Sequence, residues 1–330
     1  MKQFLQYPRM NGVVQCRLLM TATLLGALTI SARGAGYSPA PDTNAVHFVR
    51  YEWHDDARNR DVPVKIYYPK TGSGPFPVII FSHGLGGSRE DYGYLGEGWA
   101  AHGYVSVHLQ HPGSDTGIFK NGGSEHSGAA MRKVIKDPQH ILDRAEDVSF
   151  AIDQLAKLNG EEPPLQNRLD LSRLGMAGHS YGAGAALIVA GERVPVVGEK
   201  YRDERIKAVI AMSPPIFHGL EFDDIHVPVF VMTGTQDAGF TRTWFRRTAY
   251  NKIKSPGTCQ VNFKGAEHMT FADPLRPGDK AKDEKFHPLI LAATTAFWDA
   301  HLRGDAGAKT WLEQGGFTAL MDGAGKFELK

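Results

Sequence analysis

Between residues 46 and 302, short apolar runs alternate with longer stretches in which apolar residues return every third or fourth position. Residues 46–51 and 62–68 partly alternate apolar with polar side chains, the pattern of strands with one wet face, and predict an antiparallel edge. Val78, Ile79, Ile80 and Phe81 are continuously apolar, as a strand covered on both faces should be. Residues 104–109, 174–177, 206–212, 227–232 and 260–263 predict further strands, about eight in all. Helices are expected at 94–102, 139–158, 183–190, 241–253 and 288–302. The clearest is 139–158, with Ile141, Ala145, Val148, Ile152 and Leu155 on one face, Asp137-Pro138 to start it and Asn159-Gly160 to stop it. Strands alternating with helices at this spacing mean an α/β protein with a mostly parallel sheet and helices on both faces. No internal repeat or inner boundary is visible, so residues 46–330 read as a single domain.

The first residues follow another rule. Lys2, Arg9 and Arg17 precede an apolar run over residues 18–30, and small residues follow. A positive start, a short apolar core and a small-residue exit describe a secretory signal peptide over residues 1–35, with an uncleaved anchor as the alternative. Residues 36–45 read as a linker. Of the 37 Lys and Arg, four lie in residues 1–35 with no acid beside them, so cleavage between Ala32 and Gly36 leaves 33 basic side chains against 36 acidic. That balance offers no electrostatic case for nucleic acid or for anionic membrane surfaces. Cys16 lies in the leader and Cys259 stands alone, so no internal disulfide is expected. The expectation is a secreted or periplasmic monomer, with no stable membrane insertion once the signal is removed.

Candidate chemistry begins at Gly178-His179-Ser180-Tyr181-Gly182, between an apolar run and a helix of small residues. A serine at a tight strand-to-helix turn takes a strained backbone that projects its hydroxyl, and crowding leaves room only for glycine two residues either side. A serine hydroxyl is a weak nucleophile; it needs an imidazole to take its proton and a carboxylate to orient that imidazole. Asp237 and His268 follow the predicted strands 227–232 and 260–263, in the order Ser, acid, His; Asp223 and Asp224 compete with Asp237. After strand 78–81 comes Ser82-His83-Gly84-Leu85-Gly86-Gly87, whose glycines let backbone approach a developing oxyanion. The expected donors are the amides of Leu85 and Tyr181, while His83 shapes the loop. His111-Pro112-Gly113-Ser114-Asp115 ends a fourth strand and reads as structural or substrate-facing; nothing in the chain has metal-ligand spacing, so no metal is expected.

These blocks, with His268-Met269-Thr270-Phe271-Ala272-Asp273, resemble the platelet-activating-factor acetylhydrolase family and the dienelactone-hydrolase-like, chlorophyllase and polyester-hydrolase branches of the α/β-hydrolase superfamily. The resemblance spans ordered motifs from Val46 to Leu302. It implies the α/β-hydrolase fold, a Ser180, Asp237, His268 triad, Leu85 and Tyr181 at the oxyanion, and no cofactor. True dienelactone hydrolases use cysteine where this chain has Ser180. The function implied is a serine carboxylesterase for short-chain or aromatic esters, small or polymeric. Alternatives are a polyester hydrolase, a lipid esterase, and a catalytically dead binding protein of the same fold. The short connection 213–222 leaves little room for a large lid, and the glycine-rich stretch 116–130 is the candidate for a flap. His111, Ile216, Phe217, Met269 and Phe271 are the expected substrate lining.

Overall fold

The sheet is built from nine strands among the residues described by a computed structural model, namely 36–39, 45–119, 127–161, 163–216, 221–238, 241–273 and 285–330. They are β1 (Val46–Asp55), β2 (Arg60–Pro69), β3 (Phe76–Ser82), β4 (Val105–Leu109), β5 (Leu169–His179), β6 (Ile206–Met212), β7 (Val229–Gln236), β8 (Cys259–Glu267) and β9 (Gly325–Leu329). Their order is β1-β2-β4-β3-β5-β6-β7-β8-β9. The strands from β4 to β8 in that order pair in parallel, whereas β1, β2 and β9 run antiparallel to their neighbours. The expected mostly parallel sheet with an antiparallel N-terminal edge is present.

The helices that fix the site are α1 (Gly93–Ala101), α2 (Ser127–Lys136), α3 (Gln139–Glu161) and α4 (Tyr181–Ala190). Strand β3 shows why its sequence is apolar throughout. Val78 and Ile80 join a core with Ile141 and Val148 of α3 and Leu187 of α4. Ile79 and Phe81 join a second core with Leu95 and Trp99 of α1 and with Ile290 and Trp298 of helix His287–Trp298. A strand between two dry layers cannot alternate.

Several boundaries differ from the sequence reading. Strand β9 escapes it because an edge strand of five residues shows little apolar signal. Asp137 does cap α3, its carboxylate accepting from Gln139 N at 3.0 Å. Asn159-Gly160 does not stop that helix, because the Asn159 side chain bonds both backbone groups of Leu169 and ties the last turn to β5. The helix expected at 241–253 is two short ones, Thr243–Arg246 and Thr248–Lys252. Within the stretch 116–130, Thr116–Phe119 forms a 3₁₀ turn and residues 127–130 begin α2, while residues 120–126 lie outside the described residues. In the expected linker, Tyr37 is fastened, donating its hydroxyl to Asp299 Oδ2 at 2.7 Å. The expected signal peptide lies outside the described residues, among which no helix is long and apolar enough to cross a membrane.

Candidate active site

The parallel strands deliver their carboxyl ends to one edge of the sheet, and the chemistry collects there. Ser180 stands between β5 and α4 with φ 52° and ψ −120°, the strained turn its motif predicts. Glycine is obligatory on both sides. A Cβ on Gly178 would lie 2.3 Å from Gly182 O, and one on Gly182 would lie 2.0 Å from Ser82 O. The Ser180 amide is held by Met212 O on β6 at 2.8 Å, so the elbow is braced by the neighbouring strand.

His268 follows β8 in a 3₁₀ turn, His268–Phe271, capped reciprocally by Glu267 and Thr270. Its Nε2 lies 2.8 Å from Ser180 Oγ and its Nδ1 2.8 Å from Asp237 Oδ1. The carboxylate can only accept, so Nδ1 carries the proton and Nε2 presents its lone pair to the serine hydroxyl. Asp237, just past β7, is fully buried. Its Oδ2 accepts the Ser213 hydroxyl, and Arg246 Nε lies 3.0 Å from Oδ1. Arg246 also donates to Asp237 O at 3.2 Å and to Ser213 O at 2.6 Å. The competitors lie elsewhere: Asp223 pairs with Lys254 and Asp224 with Arg193.

A second brace comes from the elbow itself. His179 Nε2 donates to the backbone carbonyl of His268 at 2.8 Å, and its Nδ1 faces the Tyr92 hydroxyl at 2.8 Å. Tyr92 in turn accepts from Gly84 N at 3.3 Å. Both His179 nitrogens are committed, and burial with His268 close by holds its pKa well below the usual histidine range, so it is neutral. The Gly84 loop, the elbow and the His268 backbone are thus joined by one chain of hydrogen bonds.

In the Gly84–Gly87 loop, Gly86 N donates to Ser114 O and Gly87 N to Gly84 O. That leaves the Leu85 N–H without an acceptor among the described residues. Leu85 and Tyr181 both line a cleft of about 710 Å³ that contains Ser180 and His268. Met269 lines it too. Three other expected lining residues do not. Ile216 is in the core beside α3 and α4, and Phe271 is fully buried in the opposite core, because in each case the chain turns the apolar side chain inward. His111 is fully buried, with Nε2 2.9 Å from Ser82 Oγ and Nδ1 2.9 Å from Asp147 Oδ2. Phe217 lies outside the described residues. The apolar wall comes instead from Phe119, Met131 and Ile135. The signal for it was the helical spacing of Met131, Val134 and Ile135, masked by the glycines before them. Ser213 follows β6 and was legible by the strand-end rule, but nothing in the sequence singled out Arg246, Tyr92 or Arg144. Among the described residues no group of three His, Cys, Asp or Glu side chains could hold a metal ion.

The chain is 25% identical over 300 residues to platelet-activating factor acetylhydrolase of Cavia porcellus, which covers 79% of this chain and 64% of that protein. It is 27% identical over 206 residues to cutinase est2 of Thermobifida alba, covering 62% and 56%, and 27% over 191 residues to cutinase est1 of the same organism, covering 58% and 52%. The chain therefore matches less than two thirds of the length of each of these relatives. The PETase family, described as PET hydrolase-like, matches residues 63–275, more than half of the chain and all of Leu85, Ser180, Asp237 and His268. By that match, on a mostly parallel sheet of the α/β-hydrolase type, the chain belongs to the PET hydrolase-like family.

Proposed function

We propose that this protein hydrolyses carboxylic esters through an acyl-enzyme formed on Ser180. The observation that carries the reading is the unbroken hydrogen-bond chain from Ser180 Oγ through the His268 ring to the buried Asp237, opening on the cleft. As Oγ attacks the ester carbon, His268 Nε2 takes its proton, and Asp237 steadies the imidazolium through Nδ1–H. The carbonyl oxygen becomes an oxyanion that accepts from the Leu85 and Tyr181 amides. Collapse expels the alcohol oxygen, which takes the proton from His268. Water then attacks the acyl-enzyme, gives its proton to Nε2, and releases the carboxylic acid and Ser180. These steps call on no cofactor.

The substrates we favour are short-chain or aromatic carboxylic esters, on the strength of the apolar wall of Leu85, Phe119, Met131 and Ile135. Polyester ends are the second reading, supported by the family match and by relatives named as cutinases. Export to the periplasm or the medium belongs to the same proposal and is supported by the charge and apolar pattern of residues 1–35. A fluorophosphonate probe tests the mechanism: covalent labelling at Ser180 is expected, and an unlabelled protein would be a binding protein with a relic site. Graded acyl esters run beside an aromatic diester and an anilide then separate the substrate classes.

A further inference from the structure

The N–H of Leu85 belongs to the same rigid, trans peptide unit as the carbonyl of Gly84, and the two point in opposite directions. Whatever holds Gly84 O therefore aims the Leu85 N–H. Gly84 O accepts from His83 Nδ1 at 2.6 Å, from Gly87 N at 3.1 Å and from Arg144 Nη2 at 3.4 Å. Arg144, on α3, also donates to His83 O, to Ser114 O at 3.0 Å, to Ser114 Oγ at 2.9 Å and to Ser82 Oγ at 3.2 Å. Its guanidinium lies 4.9 Å from the centre of the Tyr181 ring, the residue that carries the other oxyanion donor.

Two features set this arginine apart from a structural strut. It is fully buried, and among the described residues no carboxylate lies within 4.0 Å of it. Asp147 is one helical turn away, but its oxygens are committed to Arg58, Arg60 and His111. Burial draws Arg144 down to about 10, which leaves it charged at neutral pH. Asp147 and Asp115 favour its charge only from a distance, and a buried cation with no carboxylate in direct contact is costly, a cost that carbonyl dipoles offset only in part. A negative charge forming close by would offset more.

Resting on the ester-hydrolysis reading, we propose that Arg144 is a positioning residue of the oxyanion site: it locks the Gly84–Leu85 peptide plane from behind and keeps a buried positive charge on the carbonyl side of that peptide, so that the Leu85 N–H faces the oxyanion as a stronger donor. Bonds to Gly84 O also polarise that peptide and strengthen its N–H as a donor. Arg144 touches no reacting atom; it acts through the peptide.

The test uses Arg144→Lys, which keeps the charge but not the planar fork, and Arg144→Gln, which removes the charge. Sites are counted by fluorophosphonate titration, kcat and KM are measured on a short-chain ester, and Ki is measured for phenylboronic acid, whose boron becomes an anionic tetrahedral adduct on Ser180 Oγ. The expected loss in kcat per titrated site is about 10-fold for Lys and about 100-fold for Gln, with KM little changed and the boronate Ki rising by matching factors. A kcat within about twofold of the parent for both variants would overturn the proposal, as would a loss of kcat with an unchanged boronate Ki. If the Gln variant is not recovered folded, the Lys variant decides. A parent protein that is neither labelled nor active refutes ester hydrolysis itself, whereas an active, labelled parent with indifferent variants refutes only the part given to Arg144.

Discussion

Two serine–histidine–aspartate arrays of nearly identical geometry lie in this molecule, one at the cleft and one in the interior. In the first, His268 sits 2.8 Å from Ser180 Oγ and 2.8 Å from Asp237. In the second, His111 sits 2.9 Å from Ser82 Oγ and 2.9 Å from Asp147. Distances alone do not distinguish them; their surroundings do. Ser180 is thrown forward by a strained elbow into the cleft, whereas Ser82 ends a strand and is fully buried. The His268 side chain is 24% exposed and lines the cleft. His111 has no exposure, and burial together with the Arg144 charge draws it down to about 4, so it cannot hold a second proton at neutral pH. Asp147 already faces Arg58 and Arg60, while Asp237 faces a single arginine. A triad is therefore an access and protonation device as much as a hydrogen-bond pattern.

The comparison breaks most sharply at the serines. Ser180→Ala is expected to lower kcat/KM on a chromogenic ester by about 10⁴-fold or more with the fold intact. Ser82→Ala should leave fluorophosphonate labelling at Ser180 in place while lowering stability by about 1–3 kcal/mol in urea unfolding, since Arg144 loses an acceptor and His111 its partner. Equal losses of activity from the two changes would sink the distinction. The carboxylates form the next pair. Asp237→Asn presents His268 with the wrong tautomer and should cost about 10³–10⁴-fold in kcat. Asp147→Asn should act on stability, on the order of 3 kcal/mol, because Arg58 and Arg60 lose their buried charge partner and keep only the more exposed Asp55, Glu146 and Asp143.

The smallest and broadest effect is the response to acid. His111 at about 4 and His108 at about 3 are both lowered by burial from 6.5. The unfolded chain therefore binds more protons than the native one below pH 6.5, and stability falls as pH drops. Their contribution is complete above about pH 6.5 and is lost progressively toward pH 4 and below. Urea midpoints measured between pH 8 and pH 4 check this. A midpoint that held or rose through that window would mean that the inner array is not kept neutral.

Much of the fold was legible because burial on two faces writes itself as an uninterrupted apolar run, as in residues 78–81. The convergence of Ser180, Asp237 and His268 was legible because each follows a different parallel strand. Edge strand β9 was not, since its five residues offer only Phe327 and Leu329 as apolar signal. Ile216 and Phe271 were misplaced for a related reason: an apolar residue near a strand end reads the same whether it lines a cleft or turns into the core.

By itself the sequence determined the alternation of strands and helices, the elbow with its two obligatory glycines, and the order in which Ser180, Asp237 and His268 leave the sheet. Those are local properties, set by periodicity and by what fits at a tight turn. Only the tertiary structure decided that Arg144 on α3 reaches the loop after β3 with no carboxylate of the described residues within 4.0 Å, that Arg246 and Ser213 clamp Asp237, and that His111 with Asp147 is sealed away. Each of these joins residues from distant parts of the chain, and a buried charge takes its meaning from the neighbours that folding brings to it.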